Sequence, residues 1–101
     1  MRVVLVAIML MAVVLTSCTE SSEGRYGEDL FGPTCAHCHG SDLAGGVGPP
    51  LGSGSNAAAL SDEQIAGVIS VGPGAMPAFA NRLNEEQVES LIDYLRDQQA
   101  S

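Results

Sequence analysis

The 101-residue chain contains no lysine and no tryptophan, and only two phenylalanines and two tyrosines. Four arginines are its whole cationic inventory against twelve acidic residues, giving a formal net charge of −8. A surface of that sign is repelled by nucleic-acid phosphates and by anionic membrane surfaces, which makes the chain a poor ligand for either. Partners with basic docking patches are favoured instead. So few aromatics beside twelve glycines leave little apolar bulk to fill a core in a domain of this size. No segment alternates apolar and polar residues at period two, so strands are not expected and the fold class is all-α. Cysteine and histidine are scarce too, three and two residues. Four of those five nevertheless fall within CAHCHG, residues 35–40.

One apolar run is long, and it opens the chain. Met1-Arg2 gives a short positive start, and Val3 to Leu15 follows without a polar residue. That is the length of a signal-peptide h-region and too short to span a bilayer as a helix. The run ends in LTSC, Leu15 to Cys18, which resembles the lipobox of bacterial lipoproteins. That resemblance implies cleavage before Cys18 and lipid on the new N-terminal cysteine. An ordinary signal-peptidase site just beyond would discard Cys18 instead. Either reading places the mature protein outside the cytoplasm. The expected division is a signal peptide over 1–17, a lipid-anchored flexible tether over 18–24 and one folded domain over 25–101. Loss of Arg2 with the signal peptide takes the formal charge from −8 to −9.

Within the domain, a first helix is expected from about Arg25 to the cysteines, broken or kinked by Gly32-Pro33. Gly40 to Ala59 is rich in glycine and carries Pro49 and Pro50, so it reads as loop, too long for a compact domain unless it wraps something. Ser61 and Gln64 have the form of a capping box, with Ile65, Val68 and Ile69 on one face until Gly72 stops the helix. Asn84 and Gln87 repeat the pattern ahead of the stripe Val88, Leu91, Ile92 and Leu95.

Cys35-Ala36-His37-Cys38-His39 has three chemical readings. A structural zinc site would need a further Cys/His pair, and none follows in the sequence. A redox dithiol would need a βαβ setting, and a disulfide would span only two residues. The third reading is covalent haem attachment, for which C-x-x-C-H is the recognised spacing. Cys35 and Cys38 would then add to the two vinyl groups while His39 faces the iron. His37 lies on the attachment turn and reads as solvated.

These residues resemble the class I c-type cytochromes, and among them the small bacterial domains of the cytochrome c6 and cbb3-oxidase-subunit type. The resemblance rests on CAHCH, on GPPL at 48–51, on GAMPAF at 74–79, and on GEDLF and LIDYL at 27–31 and 91–95. It implies a small cytochrome c fold of three to four helices with glycine-rich loops wrapped around one haem c. The same resemblance implies Met76, the sole methionine of the mature chain, as the second axial ligand, with Pro77 after it. Gly48, Pro49 and Leu51 become the loop whose Pro49 carbonyl holds His39. Gly27 would let the terminal helices cross closely, and Phe31 would pack against Leu91 and Tyr94. A porphyrin would supply the missing apolar bulk.

A haem held by His39 and Met76 leaves no open iron position, which implies a monomeric one-electron carrier of fairly high potential rather than an enzyme. Its setting would be an extracytoplasmic respiratory or photosynthetic chain, with redox proteins as partners. Two other readings remain open at this point: a haem enzyme or gas or peroxide sensor in which Met76 dissociates, and a fixed cytochrome subunit of a larger redox complex.

Overall fold

The computed structural model describes residues 22–101. Helix α1 spans Gly27–Thr34, α2 is the single turn Ala36–His39, α3 spans Asp62–Val71 and α4 spans Glu85–Gln99. A short 3₁₀ turn, Asn56–Ala59, lies between α2 and α3, and no strand occurs among the described residues. The class is all-α, as the patterning implies. The signal peptide, Cys18 and the first part of the tether lie outside the described residues.

Both capping boxes form. The Ser61 hydroxyl accepts from the Gln64 N–H at 3.1 Å while the Gln64 side chain accepts from the Ser61 N–H at 2.9 Å. Asn84 and Gln87 exchange the same pair of bonds at 2.8 and 3.0 Å. Each pair satisfies amides that a helix start leaves without partners. Gly72 ends α3 in the left-handed conformation, φ +63°.

Helices α1 and α4 pack together. The Gly27 N–H donates to the Ser90 hydroxyl at 3.0 Å, and the Phe31 and Tyr94 rings lie 5.3 Å apart, tilted by 47°. Leu30 and Phe31 of α1, Ile65 and Ile69 of α3, and Leu91, Ile92 and Leu95 of α4 are buried in one cluster. Leu43, Phe79 and Leu83 complete it from the loops. The sequence pattern did not mark those three.

Four local expectations change. Helix α1 starts at Gly27, two residues after Arg25, and it continues through Pro33 to end at Thr34. Proline removes one amide near the end of a short helix, where the chain turns away a residue later. Gly27 is set by backbone conformation more than by crowding: its φ is +54°, while an added Cβ would meet Ser90 O at an ordinary 4.0 Å. Val68 sits at the rim of its helix face, 37 % exposed, so Ile65 and Ile69 carry the burial. The segment 40–59 contains the 3₁₀ turn, capped by the Ser55 side chain, where plain loop was expected.

Candidate haem site

Thr34 ends α1, and Cys35 closes it by donating its N–H to the Phe31 carbonyl at 2.8 Å. The chain then winds one further turn, in which Cys38 and His39 both donate to the Cys35 carbonyl, at 3.2 and 3.1 Å. That turn puts both thiols at one end of α1, and both are free. Burial, followed by the proximity of Cys38, pushes the Cys35 thiol up to about 11, so it stays protonated at neutral pH. Among the described residues no three Cys, His, Asp or Glu side chains converge as a Zn²⁺ ion requires.

The loop after α2 folds back over His39. Gly40, at φ +82°, turns the chain, and Gly45 then donates to the His39 carbonyl at 2.8 Å and Gly48 to the Cys38 carbonyl at 2.7 Å. Gly48 lies so close to the ring that an added Cβ would be 3.0 Å from His39 Cε1 and 3.1 Å from Nδ1. His39 Nδ1 is 2.8 Å from the Pro49 carbonyl oxygen. A carbonyl only accepts, so Nδ1 carries the proton and the Nε2 lone pair is left to bind a metal. No hydrogen bond engages Nε2 among the described residues.

The loop is itself anchored. Leu43, buried and held at φ +63°, accepts at its carbonyl from the Leu51 N–H at 2.9 Å. Leu51 in turn accepts from Gln99 Nε2 at 2.9 Å, which ties the loop to the last turn of α4. A left-handed leucine costs roughly 1 kcal/mol, offset here by its burial and by those bonds.

Met76 follows α3 in a tight turn, its N–H donating to the Pro73 carbonyl at 3.2 Å. Phe79 and Ala80 then donate back to Ile69 and Ser70 of α3, at 3.0 and 3.3 Å. The backbone of 76–78 presses on Gly72, where an added Cβ would come within 2.5 Å of Met76 O and Ala78 N. Gly72 is therefore needed twice, for its φ and for this close passage. Met76, Cys35, Leu51 and Tyr94 are partly buried and pack on the same core cluster as Phe31. Pro49 and Pro77 are exposed, and so is His37, as its position on the turn implied.

The donor set fits a covalently attached haem: two free thiols on one turn beside an imidazole with an available Nε2, at the end of a core short of apolar bulk. The family described as cytochrome c oxidase, cbb3-type, subunit III matches residues 22–95. The chain belongs to this family of small class I c-type cytochromes. The cytochrome's relatives include cytochrome c6 of Thermosynechococcus vestitus, 33 % identical over 94 residues, covering 87 % of this chain and 81 % of the relative. Cytochrome c55X of Stutzerimonas stutzeri is 30 % identical over 92 residues, covering 90 % of this chain and 81 % of the relative. The cytochrome c subunit of menaquinol:cytochrome c reductase from Geobacillus thermodenitrificans is 37 % identical over 61 residues, and the match spans 22 % of that relative's length. The cofactor of this cytochrome is covalently bound haem c, for which Cys35 and Cys38 have the required spacing, and its role is electron transfer with redox partners.

Sequence reasoning missed Leu43, Phe79 and the burial of Gln87. The first two lie in loops without periodicity. Gln87 was legible only as a capping residue.

Proposed function

We propose that this cytochrome is a one-electron carrier in an extracytoplasmic respiratory or photosynthetic chain, with His39 and Met76 as axial ligands and a lipid anchor on Cys18. The bond from His39 Nδ1 to the Pro49 carbonyl carries the reading, because it fixes the tautomer and aims the free nitrogen.

When bound, the haem supplies a one-electron iron couple. The protein's own part is positional. Cys35 and Cys38 would hold the group through their thiols, and the Gly48–Leu51 loop would set the angle and basicity of His39. Met76 contributes a soft thioether that favours the ferrous state and raises the potential relative to a second imidazole. With His39 and Met76 both holding the iron, the site would be suited to electron exchange and would leave no place for a substrate. Gly45, Gly48 and Gly72 let backbone approach closely, and Phe31, Leu51 and Tyr94, gathered on the common core, would supply an apolar wall for the group.

An optical redox titration of protein matured with a haem-attachment system tests the reading. A single reversible one-electron wave with a c-type spectrum supports it; a spectrum without c-type haem contradicts it. Membrane association is tested separately by Cys18→Ser, which should release the protein into the soluble extracytoplasmic fraction.

A further inference from the structure

Pro49 and Pro50 stand together in the loop that holds His39, and proline has no N–H with which to fasten itself to the backbone around it. Yet the Pro49 carbonyl oxygen lies 2.8 Å from His39 Nδ1. Its place is therefore set by the residues on either side. Gly48 fastens the upstream side by donating to the Cys38 carbonyl at 2.7 Å. Leu51 fastens the downstream side, and its two hydrogen bonds go different ways. The N–H donates to the Leu43 carbonyl at 2.9 Å, a bond that stays inside the same loop. The Leu51 carbonyl accepts from Gln99 Nε2 at 2.9 Å, across 48 positions of sequence. Of the two, only the bond to Gln99 ties Leu51 to a helix.

Gln99 is the last residue of α4, where helices fray. Its amide is oriented nonetheless. Arg96, one turn earlier, donates from its guanidinium to Gln99 Oε1 at 2.8 Å. A guanidinium has no acceptor, so the amide oxygen must face it and the amide nitrogen is left to face Leu51. Arg96 is fixed in turn beside the start of α3, by the Asp62 carboxylate at 2.9 Å and the Leu60 carbonyl at 2.6 Å. A continuous set of bonds thus runs from Asp62 through Arg96 and Gln99 to the Leu51 carbonyl. That carbonyl lies two residues from the one that holds His39.

We propose that Gln99 is a positioning residue for the axial histidine: with Arg96 orienting its amide, it holds Leu51, and through Leu51 it keeps the Pro49 carbonyl against His39 Nδ1. The inference rests on His39 as an iron ligand, the reading given above. Loss of the Gln99 bond would let the segment from Pro49 to Leu51 drift from the ring. A histidine less firmly bonded at Nδ1 is a poorer donor to iron, so the reduction potential rises.

The test compares Gln99→Met, which keeps the length and neutrality of the side chain, with Gln98→Met at the exposed neighbour. In the ferrous holoprotein, exchange of the His39 Nδ1 proton with solvent is followed by NMR, beside exchange of the α1 amides. Gln99→Met should speed exchange of the Nδ1 proton roughly tenfold and raise the midpoint potential, while the α1 amides hold their wild-type rates. Gln98→Met should leave all three within about twofold of wild type. Gln99→Glu still accepts from Arg96 but has no hydrogen to give Leu51, so it should speed the Nδ1 proton at least as much as Gln99→Met. The c-type spectrum and the methionine-to-iron absorption should persist in every variant, which separates failure of the Gln99 role from failure of the carrier reading. An unchanged Nδ1 exchange rate or potential in Gln99→Met would overturn the proposal. So would an acceleration that the α1 amides share in equal proportion, because the residue would then serve only general stability.

Discussion

Gly48 and His39 are packed against each other so closely that the glycine has no room for a side chain: its Cβ would stand 3.0 Å from the ring carbon Cε1 and 3.3 Å from the Cys38 carbonyl oxygen. Neither neighbour is the loose end of a flexible chain, so one of them must move. Gly48→Ala should therefore cost about 1–3 kcal/mol and lengthen the His39–Pro49 bond. A weaker bond makes the imidazole a poorer donor, so the reduction potential should rise. Gly67→Ala is the contrast, since that exposed glycine inside α3 has open space around it and should gain up to about 1 kcal/mol. Chemical unfolding followed through the haem spectrum measures both, and equal effects of the two would contradict the packing argument.

Gly72→Ala should act on the ligand loop. The residue sits at φ +63°, and its new Cβ would overlap the backbone of residues 76–78. The expected result is a ferric protein that keeps its c-type spectrum but loses much of its methionine-to-iron absorption, with stability down by roughly 1–3 kcal/mol. An unchanged absorption would mean that Met76 is placed by something other than this contact.

Arg96 and Asp62 form an ion pair at 2.9 Å, with side-chain exposures of 32 % and 68 %. An exposed pair contributes under about 1 kcal/mol, so Asp62→Asn should be mild. Arg96→Leu should cost more, roughly 2 kcal/mol, because the same guanidinium donates to the Leu60 carbonyl at 2.6 Å and to the Gln99 side chain at 2.8 Å. Urea midpoints of the two variants check the ranking. Equal midpoints would place the stabilisation in the ion pair.

Partial burial, with a smaller effect from the Glu28 carboxylate, pushes the Tyr94 phenol above its usual 10.0. The folded protein thus holds this proton more tightly than the unfolded chain does. Its contribution to stability is complete below about pH 10 and is lost as pH rises through the higher folded value. As pH rises above about 9, wild-type stability should fall relative to Tyr94→Phe. A stability difference that stays constant with pH would contradict the shift.

Much of the fold was legible because its signals are local. Both capping boxes, the Gly72 stop and the α4 stripe depend on residues within a turn or two of one another. What escaped the reading depends on distant partners. Leu43 is buried in a left-handed conformation because Leu51 and Gly52 donate to its carbonyl, and no propensity would place a leucine there. Gln87 has the sequence signature of a cap, but its Nε2 serves Ser22 and Arg25, more than sixty positions away. The haem motif was legible for a different reason: two thiols and a histidine must share one turn, so their spacing is fixed by chemistry. The Pro49 partner of His39 followed from family resemblance, and the bond at 2.8 Å agrees with it.

The central claim is that Met76 completes the iron's coordination and makes the protein a carrier. The most direct measurement is the near-infrared absorption of the ferric holoprotein, wild type beside Met76→Ala. The account predicts a weak sulfur-to-iron charge-transfer band in the wild type and its disappearance in the variant, with the haem still attached through Cys35 and Cys38. A wild-type protein without the band, or a variant that keeps it, would contradict the assignment.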